Sequence, residues 1–307
     1  MTQASTPAAS VRKRVAMVIG SGSVKCAAAI GVQRALAREG IGIDLVVGCS
    51  AGSLFASMIA AGYDATQAAE KTRKLWTREI TSKRNTRGLL AAVMPKWFGF
   101  DSEFGLRDDR LIMQRLRDAF GDARIESMSI PLFITATDFA NGEQVVFAKG
   151  KLTDAIRASI AIPFIFKPWR VDGRLCIDGF LSDPMPVGVA IKEGAGVILA
   201  VGFESPNQRR VNSPGRFAFQ LSSIMTNNLF KSMFAFHQLA HHDEVIPIVP
   251  QFDQHVGLFD TAKIGYVIEE GERAAAEQLP YLRRLLGLGD PASPAGAAPA
   301  LVTSGSP

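Results

Sequence analysis

Short apolar runs alternate with stretches of helical spacing along most of this chain. Residues 15–19, 43–47, 131–138, 143–147, 174–177, 196–202 and 245–249 are short, mostly rich in Val, Ile or Leu, and read as strands. Between and after them, residues 27–39, 50–62, 66–76, 108–120, 152–159, 214–240 and 262–286 repeat apolar positions at three and four residues and read as helices. Several of the strand runs lack polar alternation, so both of their faces must be covered. Strands alternating with helices then predict an α/β fold, a three-layer sandwich with a mainly parallel central sheet.

The pattern fails between residues 79 and 107, where the apolar stretch 89–100 is broken by Pro95 and Gly99. Long irregular segments in compact domains are often lids or binding loops. The first 13 residues and residues 290–307 are rich in Ala, Pro, Ser and Gly and are expected to be disordered tails. Residues 14–289 then form one domain, with the helices near the C-terminus as an extension.

Composition narrows the function classes. The 307 residues, 47% of them hydrophobic, suffice for a large core. A formal net charge of +5, from 34 Lys+Arg against 29 Asp+Glu, is spread along the chain and lacks the dense basic stripe of a nucleic-acid binder. Cys26, Cys49 and Cys176 are too few and scattered for a disulfide framework or zinc site, which suits buried thiols in a reducing compartment. No run is long and apolar enough for a signal peptide or a membrane span, so a cytoplasmic address is expected.

The chemistry concentrates at two strand-to-helix junctions. Gly48-Cys49-Ser50-Ala51-Gly52 is a G-x-S-x-G pentapeptide between an apolar run and a helical segment. There a sharp turn lifts the central hydroxyl off the sheet while small neighbours avoid a clash, so Ser50 is the candidate nucleophile. Upstream, Gly20, Gly22, Ser23 and Val24 form a second junction whose main-chain N–H groups suit an oxyanion. A nucleophilic serine needs a base. His237, His241 and His242 lie on a polar helical stretch and His255 stands apart; a solvated helix face explains the cluster better than a triad or a metal site. A carboxylate is the other choice. Asp172-Gly173 falls between strand-like runs, as a hairpin turn would, whereas Asp178-Gly179 opens an irregular Pro-rich loop from which a side chain can reach Ser50.

On these residues the chain resembles the bacterial branch of the patatin-like phospholipase family. Gly48 to Gly52 match its elbow, Asp178-Gly179 the first two positions of its aspartate motif, and Pro184-Met185-Pro186-Val187 its downstream segment. The similarity runs from about Val15 to about Val201, and residues 243–272 resemble the family's last strand and helix. It implies a Ser50–Asp178 dyad, no metal and no cofactor. Three positions depart from the family's Gly-rich loop, with Ser21, Ser23 and Cys26 in place of glycines, while Lys25 keeps the basic residue. Serine resists positive φ, so the hole is expected to be altered, and Ser23→Gly is expected to raise kcat. Phe180 replaces a small residue and is expected to narrow the acyl site.

The resemblance implies a serine acyl hydrolase: Asp178 takes the proton of Ser50, an acyl-enzyme forms, and water releases the acid. Gly22, Ser23 and Ala51 would hold the oxyanion, while Lys25 would order the loop. Its substrate would be an acyl ester, a phospholipid among them, or a thioester. Core packing is the first reading of the apolar stretches at 89–100 and 217–236. Contact with acyl chains or with the inner face of a membrane is the second. Two other readings are a catalytically silent protein of this fold acting through interactions, and a nucleotide binder. For the latter, a third glycine at dinucleotide spacing and a P-loop Gly-Lys-Ser/Thr are both missing.

Overall fold

The computed structural model describes residues 12–83, 85–86, 90, 94–98, 101–102, 104–203, 214–240 and 244–288. Its strands are β1 Val15–Ile19, β2 Leu45–Cys49, β3 Leu132–Asp138, β4 Gln144–Phe147, β5 Trp169–Val171, β6 Arg174–Asp178, β7 Val197–Val201 and β8 Glu244–Ile248. They form one sheet in the order β5-β6-β3-β2-β1-β7-β8, with β4 also paired to β3. The five strands from β3 to β8 in this order are parallel, and β4, β6 and β5 join in antiparallel pairs. The antiparallel edge includes the hairpin at Asp172-Gly173, where both residues have positive φ.

The main helices are α1 Ala28–Arg38, α2 Ala51–Ala60, α3 Ala65–Leu75, α4 Arg110–Phe120, α5 Leu152–Ser159, α6 Val187–Lys192, α7 Pro214–Ala240 and α8 Ile264–Leu285. Alternate residues of each central strand face opposite sides of the sheet. Val15, Met17 and Ile19 of β1 join a large core with α1, α2, α4, α5 and α8. Ala16 and Val18 face a smaller core built with Met185, Val187, Val189 and Ala190. The result is three layers with unequal covers. Helix α6 was absent from the sequence reading because its six residues are too short for a helical repeat to show.

Strand β2 lies two residues later than its apolar run suggested, which brings Cys49 into the sheet and leaves Ser50 at the turn. The register follows from pairing: Val47 sits beside Val18 of β1 and Phe133 of β3. The predicted tail 290–307 lies outside the described residues, as does most of the predicted tail 1–13, of which only 12 and 13 are described. Of the stretch 89–100, Leu90 and residues 94–98 are described, with a single helical turn at Pro95–Phe98.

Candidate active site

Ser50 links the end of β2 to the start of α2 with φ 54° and ψ −131°. A side chain in such a sparsely populated region costs about 1–3 kcal/mol, and surrounding bonds must hold it there. Three do. The Ser50 N–H donates to Ser159 Oγ at 2.8 Å, and the Ser50 carbonyl accepts from Ser53 N at 2.9 Å and Ser53 Oγ at 2.6 Å. The flanking glycines are required by close approach: a Cβ on Gly52 would lie 2.4 Å from the Ile19 carbonyl oxygen, and one on Gly48 would lie 2.6 Å from the Ser53 Cα.

Asp178 ends β6, opposite Ala136 in the antiparallel pair with β3. Its main chain is fixed on both sides, donating to Ala161 O at 3.1 Å and accepting from Thr137 Oγ1 at 2.9 Å. The side chain accepts from Ser50 Oγ at 2.8 Å on Oδ2 and from Phe180 N at 3.1 Å on Oδ1. Gly179 and Phe180 continue into a 3-10 turn, so Phe180 contributes its N–H to the site while its ring is half-buried. The carboxyl is fully buried. Burial pushes its pKa up to about 7, against the Ser50 hydroxyl and the Phe180 N–H, which favour the charged form.

Loop residues 20–25 separate into two roles. Gly20 N–H donates to Val201 O at 3.0 Å and Ser21 N–H to Pro184 O at 3.0 Å, so Gly20 is a structural member of the loop and cannot donate to an oxyanion. The N–H of Lys25 is likewise turned to Gly22 O at 3.2 Å, and its ammonium lies 5.6 Å over the Phe252 ring. Gly22, Ser23 and Val24, which open a 3-10 turn, and Ala51, which opens α2, have no main-chain N–H acceptor among the described residues. Ser23 has φ 56°. That left-handed conformation costs a side-chain-bearing residue about 1–2 kcal/mol.

Three residues at this site escape the sequence reading. Ser159 ends α5 without a motif and holds the Ser50 N–H. Thr137 donates to the Asp178 carbonyl, and its Oγ1 also accepts the Ser182 N–H at 3.1 Å. Asp183 is buried, caps Met185 N at 3.0 Å, and is pushed up to about 6 by its burial. An Asp directly before Pro-Met-Pro, just past the 3-10 turn, is the faint pattern that marks it. Burial raises the thiols of Cys26 and Cys49 and keeps them protonated.

His255 is exposed in the segment between β8 and α8. His237 lies within α7, while His241 and His242 fall outside the described residues. Among the described residues no cluster of three His, Cys, Asp or Glu is arranged to hold a metal ion. No helix among them is long and apolar enough to cross a membrane.

A family model described as Patatin-like phospholipase matches residues 17–191. An uncharacterized NTE family protein of Mycobacterium tuberculosis (strain ATCC 25618 / H37Rv) is 35% identical over 188 residues, 61% of this chain and 48% of the relative. Patatin-like phospholipase domain-containing protein 6 of Homo sapiens is 28% identical over 204 residues, 66% of this chain and 14% of that protein. The chain thus spans about half the length of the mycobacterial relative and a small part of the human one. Among solved structures, VipD from Legionella pneumophila aligns over 88% of this chain and 67% of its own, with a TM-score of 0.47 and 14% identity.

Proposed function

Because the chain belongs to the patatin-like phospholipase family, we propose that it hydrolyses acyl esters of lipids with Ser50 as nucleophile and Asp178 as general base. The observation that carries this reading is the 2.8 Å hydrogen bond from Ser50 Oγ to Asp178 Oδ2 at a strained strand-to-helix turn. As Oγ attacks the ester carbonyl, its proton passes to the carboxylate. The developing oxyanion is held by the N–H groups of Gly22, Ser23 and Ala51, where one such donor is worth about 3 kcal/mol. Collapse returns the proton to the leaving alcohol and leaves an acyl-enzyme. Water then gives a proton to Asp178 while its oxygen attacks the acyl carbon, and the second collapse reprotonates Ser50 and frees the acid. A carboxyl with a pKa of about 7 suits both directions of transfer near neutral pH.

Intact-mass analysis after treatment with a fluorophosphonate is expected to show one adduct, mapped to Ser50. An adduct on another residue, or none on folded protein, would remove the nucleophile assignment. An ester series of increasing chain length then defines the acyl preference.

The same reading includes contact with an anionic lipid surface through α7. Phe217, Leu221, Ile224 and Met225 are exposed at helical spacing, and residues 214–240 contain Arg216 and Lys231 but no Asp or Glu. The helix lies beside the site: a Cβ on Gly202 would meet the Phe230 ring at 2.8 Å and Met185 Cε at 2.9 Å, and Met185 also borders Gly20. Sedimentation with vesicles of mixed phosphatidylcholine and phosphatidylglycerol should carry the protein down, and Leu221→Glu/Met225→Glu should leave it in the supernatant. Equal partitioning of the two proteins would exclude α7 as the contact.

A further inference from the structure

We propose that Trp76 is a positioning residue for the oxyanion loop, holding Ser23 in its left-handed conformation through a shared hydrogen-bond clasp. The inference rests on the reading of the Ser23 N–H as an oxyanion donor. Ser23 has φ 56°, a conformation that glycine adopts freely and serine does not. Something must therefore hold it. Ser23 Oγ donates to the Leu258 carbonyl. The Trp76 indole N–H donates to that same carbonyl at 2.9 Å and reaches Ser23 Oγ at 3.3 Å. Three residues brought together from distant parts of the chain close on one another around a single carbonyl oxygen.

Both supports of the clasp are themselves fixed. Trp76 is buried at the end of α3, donates its main-chain N–H to Thr72 O at 2.8 Å, and stacks on Phe259 with ring centroids 5.7 Å apart. Leu258 sits in a tight turn in which Gly257 N donates to Asp260 Oδ2 at 2.9 Å and Asp260 N to Gly257 O at 3.3 Å. Arg78, two residues after Trp76, reaches Asp260 at 3.3 Å and ties the turn back to the end of α3. The hydroxyl of Ser23 is thus tethered from two rigid directions, and the N–H of the same residue is left free of protein acceptors among the described residues. A side-chain tether does here what the absence of a side chain does in glycine.

The clasp also changes what glycine would do at this position. In the wild-type background, Ser23→Gly relieves the strained φ but removes the tether, and the two effects oppose. In a Trp76→Phe background the tether is already weakened, and the relief dominates.

The test measures kcat and KM on a p-nitrophenyl ester, and the inhibition constant of a trifluoromethyl ketone. Its variants are Trp76→Phe, which keeps ring stacking and loses the N–H, Ser23→Ala, their double mutant, and Trp76→Phe/Ser23→Gly. Each single variant is expected to lower kcat about tenfold with KM little changed, and to weaken the ketone in proportion. The acid limb of the pH profile, set by Asp178, should not move. The double mutant should be no slower than Ser23→Ala, because both changes break one clasp. Trp76→Phe/Ser23→Gly should recover part of the rate lost in Trp76→Phe. Ser23→Ala carries the test should Trp76→Phe fail to fold. Wild-type kcat in either folded single variant, or additive losses in the double mutant, would overturn the clasp alone. Absence of wild-type turnover removes the oxyanion reading and the clasp with it.

Discussion

Asp178→Asn is expected to lower kcat by about 10³-fold, the middle of the range that a positioned general base contributes. The amide can keep the local geometry, its oxygen accepting from Phe180 N–H and its nitrogen facing Ser50 Oγ, but it cannot take the serine proton. Replacing His237, His241, His242 or His255 by Ala should each leave most of the rate. In the wild-type enzyme kcat/KM should fall as pH drops through about 7, because the carboxylate is the active form. The measurements are steady-state kinetics with circular dichroism to verify folding. A histidine variant as slow as Asp178→Asn would replace the dyad with a triad.

The same substitution should stabilise the protein more in alkaline than in mildly acidic solution. The folded carboxyl has a pKa of about 7 against an ordinary value of 3.8, so between these values the native state holds a proton that the unfolded chain releases. Stability from this group is therefore present at low pH and lost as pH rises toward and through 7. At pH 8 the buried carboxylate costs on the order of 4 kcal/mol, set by the difference between the two pKa values. Asparagine carries no such charge. Asp178→Asn should melt several degrees above wild type at pH 8 and by a clearly smaller margin at pH 5, which already lies above the unfolded pKa. The same advantage at both pH values would mean that the charge on Asp178 is not what destabilises the native state. Such a cost fits a site where function is retained at the expense of stability.

Much of the fold is legible in the chain because strands buried on both faces must be continuous apolar runs. Residues 15–19 and 196–202 of the sequence correspond closely to β1 and β7. The helical spacing read over residues 66–76 corresponds closely to α3, whose start is fixed by a capping box of Asp64 and Gln67. The antiparallel pairing of β6 with β3 is not legible, because strand order depends on long-range pairing that leaves no local period. That pairing decides the site. It sets Asp178 opposite Ala136, which brings its carboxyl within hydrogen-bonding distance of a serine 128 residues away.

By itself the sequence marked the candidate residues: a serine between glycines where a strand meets a helix, and an aspartate followed by glycine that opens a Pro-rich loop. The resemblance to the patatin-like family marked Ser23 as a residue where a glycine is usual. Only the tertiary structure decided how those groups behave. Burial raises the Asp178 carboxyl, Ser159 fixes the Ser50 N–H, and Val201 and Pro184 claim the N–H groups of Gly20 and Ser21. Trp76 and Leu258 meet Ser23 from α3 and from the segment before α8. Desolvation and hydrogen-bond partnership depend on which distant segments pack together, and no local stretch of sequence records that.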